Sequence, residues 1–202
     1  MLRRPRSAKI HYQVHHGTSV NTHLASDGPS ILTLSDLELG SSDSNRHSNV
    51  QRITSINVRC RLSFSQFPGV IPGELNYLYV WIVQDASPKL TTVVWSDIFA
   101  GVAGRPSTYY PRFDHAKRFK VLSSTKISLR YPILNGNRPD DAYDQGKPFV
   151  VTCKPSSNTV WDDNSRYVSG QIIMVVQLEK AWTDKTCIHS LDWVPNTRFH
   201  SI

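Results

Sequence analysis

Polar and apolar residues alternate with a period of two over much of this chain, and that period marks β-strands. The clearest case lies in the stretch that starts at Ile53. There Ile56, Val58, Cys60, Leu62 and Phe64 interleave with Asn57, Arg59, Arg61 and Ser63, predicting a half-buried strand. Pro68-Gly69 and Pro72-Gly73 then punctuate a loop. Leu75–Val83, LNYLYVWIV, is apolar on both faces and rich in aromatic and β-branched residues. It predicts a central strand covered on both sides, by the core and by a neighbouring subunit. Asp114–Tyr131, DHAKRFKVLSSTKISLRY, predicts two short strands joined by a small polar turn. Phe119, Val121, Ile127, Leu129 and Tyr131 fall on its inward face, and Arg118, Lys120, Lys126 and Arg130 on the opposite one.

Further strands are expected at Ser30–Leu34, Phe149–Cys153, Gln171–Leu178 and Cys187–Val194. One short helix is expected within Thr92–Ala100, with Ser96 as its cap. Ala86–Lys89 reads as a turn, and Gly40–Ser48, Gly101–Pro111 and Asn135–Gly146 as loops. Many short strands with long polar connections predict an all-β fold, a single eight-stranded jelly-roll β-sandwich with one or two short helices. No repeat or Pro/Ser linker divides it. The expected organisation is a basic, partly disordered N-terminal arm over 1–28 and a jelly-roll domain over 29–202.

Charge then narrows the reading. The chain carries a net charge of +7 and a pI near 9.5, which suits a polyanionic partner, although a basic protein need not bind one. From Arg105 to Arg130 there are seven Lys or Arg against one acid, Asp114. Residues 1–16 hold Arg3, Arg4, Arg6 and Lys9 with no acid, together with His11, His15 and His16, and Pro5 opposes a helix there. Such a segment is either a solvated tail or an arm that binds phosphates.

Other chemistry is sparse. Cys60, Cys153 and Cys187 sit in apolar runs without CxxC or CxxH spacing, which predicts buried free thiols in a reducing compartment rather than disulfides or structural zinc. No secretory h-region follows Met1, and the apolar run Ile172–Val176 is five residues long, so no membrane insertion is expected. Asp140, Asp141, Asp144, Asp162 and Asp163 match no calcium-loop spacing and read as solvated loop acids. No GxSxG, HExxH, GxGxxG or P-loop motif occurs, and the pair Asp114-His115 lacks a nucleophile. No enzyme, cofactor or metal site is expected. Trp95, Trp161, Trp182 and Trp193 fall near strand ends or in loops, where either a subunit interface or local packing would use them. Tyr109, Tyr110 and Phe113 lie beside the basic stretch and could stack on bases.

The order of three segments carries a family resemblance. LYVWIVQD, then VWSDIF, then KRFKVL at Lys117–Leu122 resembles the capsid proteins of small single-stranded DNA viruses that encode a circular-replication protein, circovirus- and nanovirus-like. It is also similar to the satellite tobacco necrosis virus coat protein. The resemblance spans about Ile53–Tyr131. It implies a jelly roll that self-assembles into a small icosahedral shell, on the order of sixty copies, around a single-stranded DNA or RNA genome. Arg3, Arg4, Arg6 and Lys9 would line the shell interior, with Lys117, Arg118 and Lys120 near the nucleic acid or a subunit contact. The protein would reside in the virion, and in host cytoplasm or nucleus during assembly, with the host receptor unspecified. The competing readings are a carbohydrate-binding β-sandwich or a nucleic-acid binder that does not assemble.

Overall fold

The computed structural model describes residues 13–16, 20–24, 29–41, 45–64, 75–88, 93–130, 147–179 and 189–202. Its strands, in chain order, are β1 (Gln13–His16), β2 (Val20–His23), β3 (Ser30–Thr33), β4 (Val50–Phe64), β5 (Leu75–Asp85), β6 (Phe99–Ala100), β7 (Tyr110–Pro111), β8 (Phe119–Arg130), β9 (Lys147–Cys153), β10 (Thr159–Trp161), β11 (Tyr167–Ser169), β12 (Gln171–Leu178) and β13 (His189–Ser201). A single-turn helix, α1 (Trp95–Ile98), and a 3-10 turn at Pro106–Thr108 complete the elements. Among the described residues no helix is long and apolar enough to cross a membrane.

The strands form an antiparallel two-sheet sandwich. In the seven-stranded sheet β4 pairs with β13 from Phe64↔His189 to Gln51↔Ser201, and β9, β10 and β11 extend the β4 side. β1 and β2 pair with β13 on its other flank, so two segments of the expected arm lie in the sheet. The four-stranded sheet runs β3-β12-β5-β8. Between the sheets, Ile56, Val58, Leu62, Leu191 and Phe199 meet Leu78, Val80, Ile82, Ile172, Met174, Val176, Ile127 and Leu129. Burying an aliphatic side chain contributes about 1.5–3 kcal/mol, so this layer is the main source of stability. Cys60 and Cys153 are buried free thiols, and burial pushes both up to about 12. Cys187 lies outside the described residues.

Several sequence expectations change for physical reasons. The tract Asp114–Tyr131 gives one continuous strand from Phe119, not two, because Ser123–Thr125 pair with Val80–Ile82 and so remain in the ladder. A bulge opposite Ile82/Val83 reverses the facing along it. Phe119 and Val121 pack on the sheet's outer cluster, while Leu122, Ile127 and Leu129 face the main core. The basic residues are split in the same way. Lys120 lies opposite Gln84, whereas Lys126 lies opposite Tyr79 with its Nζ 3.8 Å from the Tyr77 ring centre on the outer face. Tyr131 is outside the described residues.

The second cover of β5 is also intramolecular. The excursion 93–118 folds over the outer face of the four-stranded sheet, where Ile98 and Phe99 pack on Trp81, Val83, Ile173 and Val175. Trp95 stacks on Tyr109 with ring centres 4.9 Å apart, and Tyr109 stacks on Trp81. The α1 cap comes from Asp97, whose Oδ2 accepts the Val94 N–H at 3.1 Å, rather than from Ser96. The expected loop over Gly101–Pro111 is mostly the turn of a two-stranded ribbon, since Phe99↔Pro111 and Ala100↔Tyr110 pair.

Trp161 and Trp193 belong to the main core, which excludes them from a surface role. Trp182 lies outside the described residues. β13 continues through Pro195 to Ser201, past the expected end at Val194. Val194 and Pro195 fall between the stretches paired with β2 and β1, so the missing proline N–H breaks no described ladder bond on that flank.

Candidate nucleic-acid interface

Strand register brings several basic residues to one end of the sandwich. The starts of β1, β4 and β8 lie at this end, with the ends of β5, β9 and β13. β1 begins at this end, with Gln13 opposite Phe199. Arg3, Arg4, Arg6 and Lys9 precede β1 in sequence and lie outside the described residues. Arg52 near the start of β4, Lys117 before β8, Lys120 within it and Lys154 just after β9 belong to the same end, and all but the half-buried Arg52 are exposed.

The three basic residues of the KRFK tract have different surroundings. Lys117 stands exposed on the turn before β8. Arg118 forms a two-pronged ion pair with Asp85, Nε to Oδ1 at 3.0 Å and Nη2 to Oδ2 at 2.8 Å. Asp85 is fully buried, and its Oδ1 also accepts the Ser87 N–H at 3.0 Å. Arg118 also lies over the Phe119 ring at 4.5 Å, and the bond to Asp85 holds its pKa above the ordinary guanidinium value. Its charge is therefore spent within the fold: it neutralises an acid that cannot reach water. Its carboxylate partner closes the β5 motif LYVWIVQD.

Lys120 is placed differently. Its Nζ donates to Ser156 Oγ at 3.1 Å, and Arg52 Nη1 from the other sheet donates to Ser156 O at 3.1 Å. Ser156 Oγ in turn donates to Gln84 Oε1 at 3.4 Å. Two cations from opposite sheets thus meet on the 154–158 loop. Among the described residues neither is paired with a carboxylate. The loop is held close by Gly170, whose φ of +72° suits glycine and whose Cα faces the Asn158 carbonyl so tightly that a Cβ would stand 2.1 Å from that oxygen.

A second arginine supports the same end from within. Arg46 is fully buried; Nε donates to Leu37 O at 2.9 Å, Nη1 to Asn49 Oδ1 at 2.7 Å and Nη2 to Ser165 Oγ at 2.8 Å. Its guanidinium sits 4.7 Å from the Trp161 ring centre, and burial lowers its pKa. Sequence reasoning missed Arg46 and Arg52, because isolated arginines in a polar loop and at a strand start carry no pattern.

The remaining candidates do not form a site. Arg112 pairs with Asp114 and holds its carboxyl down to about 2, while His115 Nδ1 lies 2.6 Å from Asp97 O. Asp162 Oδ1 accepts the Asn164 and Arg166 N–H groups, and Asp163 accepts from Asn49, so both acids serve local turns. Asp140, Asp141 and Asp144 lie outside the described residues. Of the stacking candidates, Tyr109 is committed to the outer aromatic cluster, whereas Tyr110 and Phe113 are exposed, Phe113 at 88%.

The family model described as "Geminivirus coat protein/nuclear export factor BR1 family" matches residues 1–148. Solved structures similar to this chain include the empty head of turnip yellow mosaic virus, 12% identical with TM-score 0.37, covering 99% of this chain and 85% of that one. The decameric BFDV capsid protein is 10% identical with TM-score 0.39, covering 96% of this chain and 100% of that one. The 60-mer form of the BFDV capsid protein is 9% identical with TM-score 0.34, covering 96% and 95%. No curated protein matches the chain in sequence.

Proposed function

We propose, for a chain that belongs to the geminivirus coat protein/nuclear export factor BR1 family, that it self-assembles into a small icosahedral shell and packages a single-stranded nucleic-acid genome. Membership makes it a jelly-roll viral capsid protein, a structural and non-enzymatic component of the virion. The finer reading is ours. A shell of on the order of sixty copies repeats every cation on its inner surface, so a short arm suffices to neutralise many phosphates. Contact with phosphates alone needs no reading of base sequence. Assembly itself is assigned to host cytoplasm or nucleus.

The observation that carries this reading is the shared end: β1, which follows the stretch containing Arg3, Arg4, Arg6 and Lys9 in sequence, begins where Lys117, Lys120, Arg52 and Lys154 gather. We assign genome contacts to the four arm residues and to Lys117 and Lys120. Arg118 keeps a supporting role through Asp85. With β1 and β2 paired into the sheet, we place the arm ahead of β1, within the 1–28 segment, and the shell domain after it. For subunit contacts, the exposed Phe113 and Tyr110 on the 93–118 excursion supply the aromatic surface that interfaces use.

The test is electron microscopy of purified particles, with absorbance at 260 and 280 nm taken on the same fraction. Closed, nuclease-sensitive particles are expected. With all four arm residues changed to Ala, the nucleic-acid content falls and the log–log salt slope for single-strand binding drops by about 3, at about 0.7 per phosphate contact. Unchanged content in such particles removes the arm from the reading. A small species without particles at every salt concentration removes the shell.

A further inference from the structure

The cations gathered on Ser156 are accompanied by a buried donor that the fold leaves unused. An ammonium has hydrogens only to give. Ser156 Oγ therefore accepts from Lys120 and directs its own hydrogen to Gln84 Oε1. In this arrangement Oε1 is engaged, and Nε2 carries the free hydrogens. Gln84 is 3% exposed, and its Nε2 has no hydrogen-bond partner among the described residues. A buried amide left in this state costs about 1–3 kcal/mol, so a Met or Leu would serve the fold better here. Opposite it in register lies Lys120, and Arg52 from the other sheet reaches the carbonyl of the same Ser156. The nearby acid, Asp85, is already neutralised by Arg118.

We propose that Gln84 Nε2, Lys120 Nζ and the Arg52 guanidinium form a notch between the ends of the two sheets that grips one phosphodiester group of the single-stranded nucleic acid. Every group offered is a donor, two of the three are cationic, and among the described residues no carboxylate is bonded to them. This is the complement of a phosphate with its two unesterified oxygens. Ser156 positions Lys120 and orients the Gln84 amide. The notch lies at the end where β1 begins, so it fixes the path of the strand where it enters the shell domain. The proposal rests on the genome-binding reading above.

The experiment titrates a fluorescein-labelled thymidine oligonucleotide, about twelve nucleotides long and within the footprint of a single β-domain, into dissociated full-length subunits over a range of salt concentrations. Lys120→Ala and Arg52→Ala each reduce the salt slope by about 0.7. Because both hold the same phosphate, the double variant loses less than the sum of the two. Gln84→Met weakens binding several-fold while leaving the urea midpoint equal to or above that of the parent, a combination that a merely structural glutamine would not give. A parent that binds while Gln84→Met and Lys120→Ala bind equally well overturns the notch and leaves the genome-binding reading standing. Additive losses in the double variant overturn the shared phosphate. A parent that does not bind at low salt overturns both.

Discussion

Removing Arg118 should destabilise this protein before it affects any ligand. Arg118→Ala leaves the Asp85 carboxylate fully buried with the Ser87 N–H as its remaining described partner. Two charge-assisted bonds, at 3.0 and 2.8 Å, are lost together. Breaking a buried pair from one side costs about 3–5 kcal/mol, against a total stability of about 5–15 kcal/mol. With a urea m-value of about 2–3 kcal/mol/M, the midpoint falls by about 1–2.5 M. Asp85→Leu combined with Arg118→Met replaces both charges by apolar groups of similar size and should recover most of that loss. The assay is urea unfolding of dissociated subunits followed by tryptophan fluorescence, run as a double-mutant cycle. A midpoint for Arg118→Ala within about 0.3 M of the parent, together with a salt slope for oligonucleotide binding reduced by about 0.7, would falsify the supporting role and return Arg118 to the genome contacts.

Two more outcomes test the fold. Arg46→Met removes the hub that joins Leu37, Asn49 and Ser165, and should cost about 2–4 kcal/mol in urea unfolding. Arg46→Lys should not rescue it, since an ammonium cannot reach acceptors on three sides at once; full rescue by Lys would discount the hub. Burial raises Cys60 and Cys153 to about 12, above the unfolded thiol value of about 8.5, so the native state retains protons that the unfolded state has released. Stability is then level below about pH 8.5 and declines from there towards pH 12, by up to about 2 kcal/mol per thiol at pH 10. Urea midpoints at pH 7 and pH 10 should show this decline in the parent and much less of it in a Cys60→Ala, Cys153→Ala double variant; equal declines in both proteins would refute the assignment.

How legible these features were in the sequence depended on how local their causes are. Strand existence was legible wherever alternation was regular, as in Ile56–Phe64, because one buried face imposes a period of two. The Ser123–Thr125 tract was misleading, since its polar residues mimic a turn while their backbone pairs with Val80–Ile82. The short strands β10 and β11 had no readable pattern, being three residues each, with β10 held by the distant β4 and β11 by β10. At the candidate site the charge was visible but its use was not. KRFK shows three adjacent cations, and the buried acid 33 residues before Arg118 decides that this one is spent internally. Arg52 and Lys120 are brought together by loop 154–158, a meeting between two sheets that no local window contains.

The pairing of β4 with β13 sets a clock on synthesis. The two strands lie side by side over almost their whole length, yet about 125 residues separate Phe64 from His189. A ribosome adding about 5–20 residues per second needs about 6–25 s to cover that distance. During this interval the β13-facing edge of β4 is without its partner, while the β5–β8 ladder can already close. Such long-range pairing is intrinsically slow and leaves strand edges exposed to aggregation. The four-stranded sheet can therefore begin to form on the nascent chain, but the end of the sandwich carrying Arg52 is completed only after β13 has emerged. Half-made chains thus lack the finished cationic end until translation has passed the last strand.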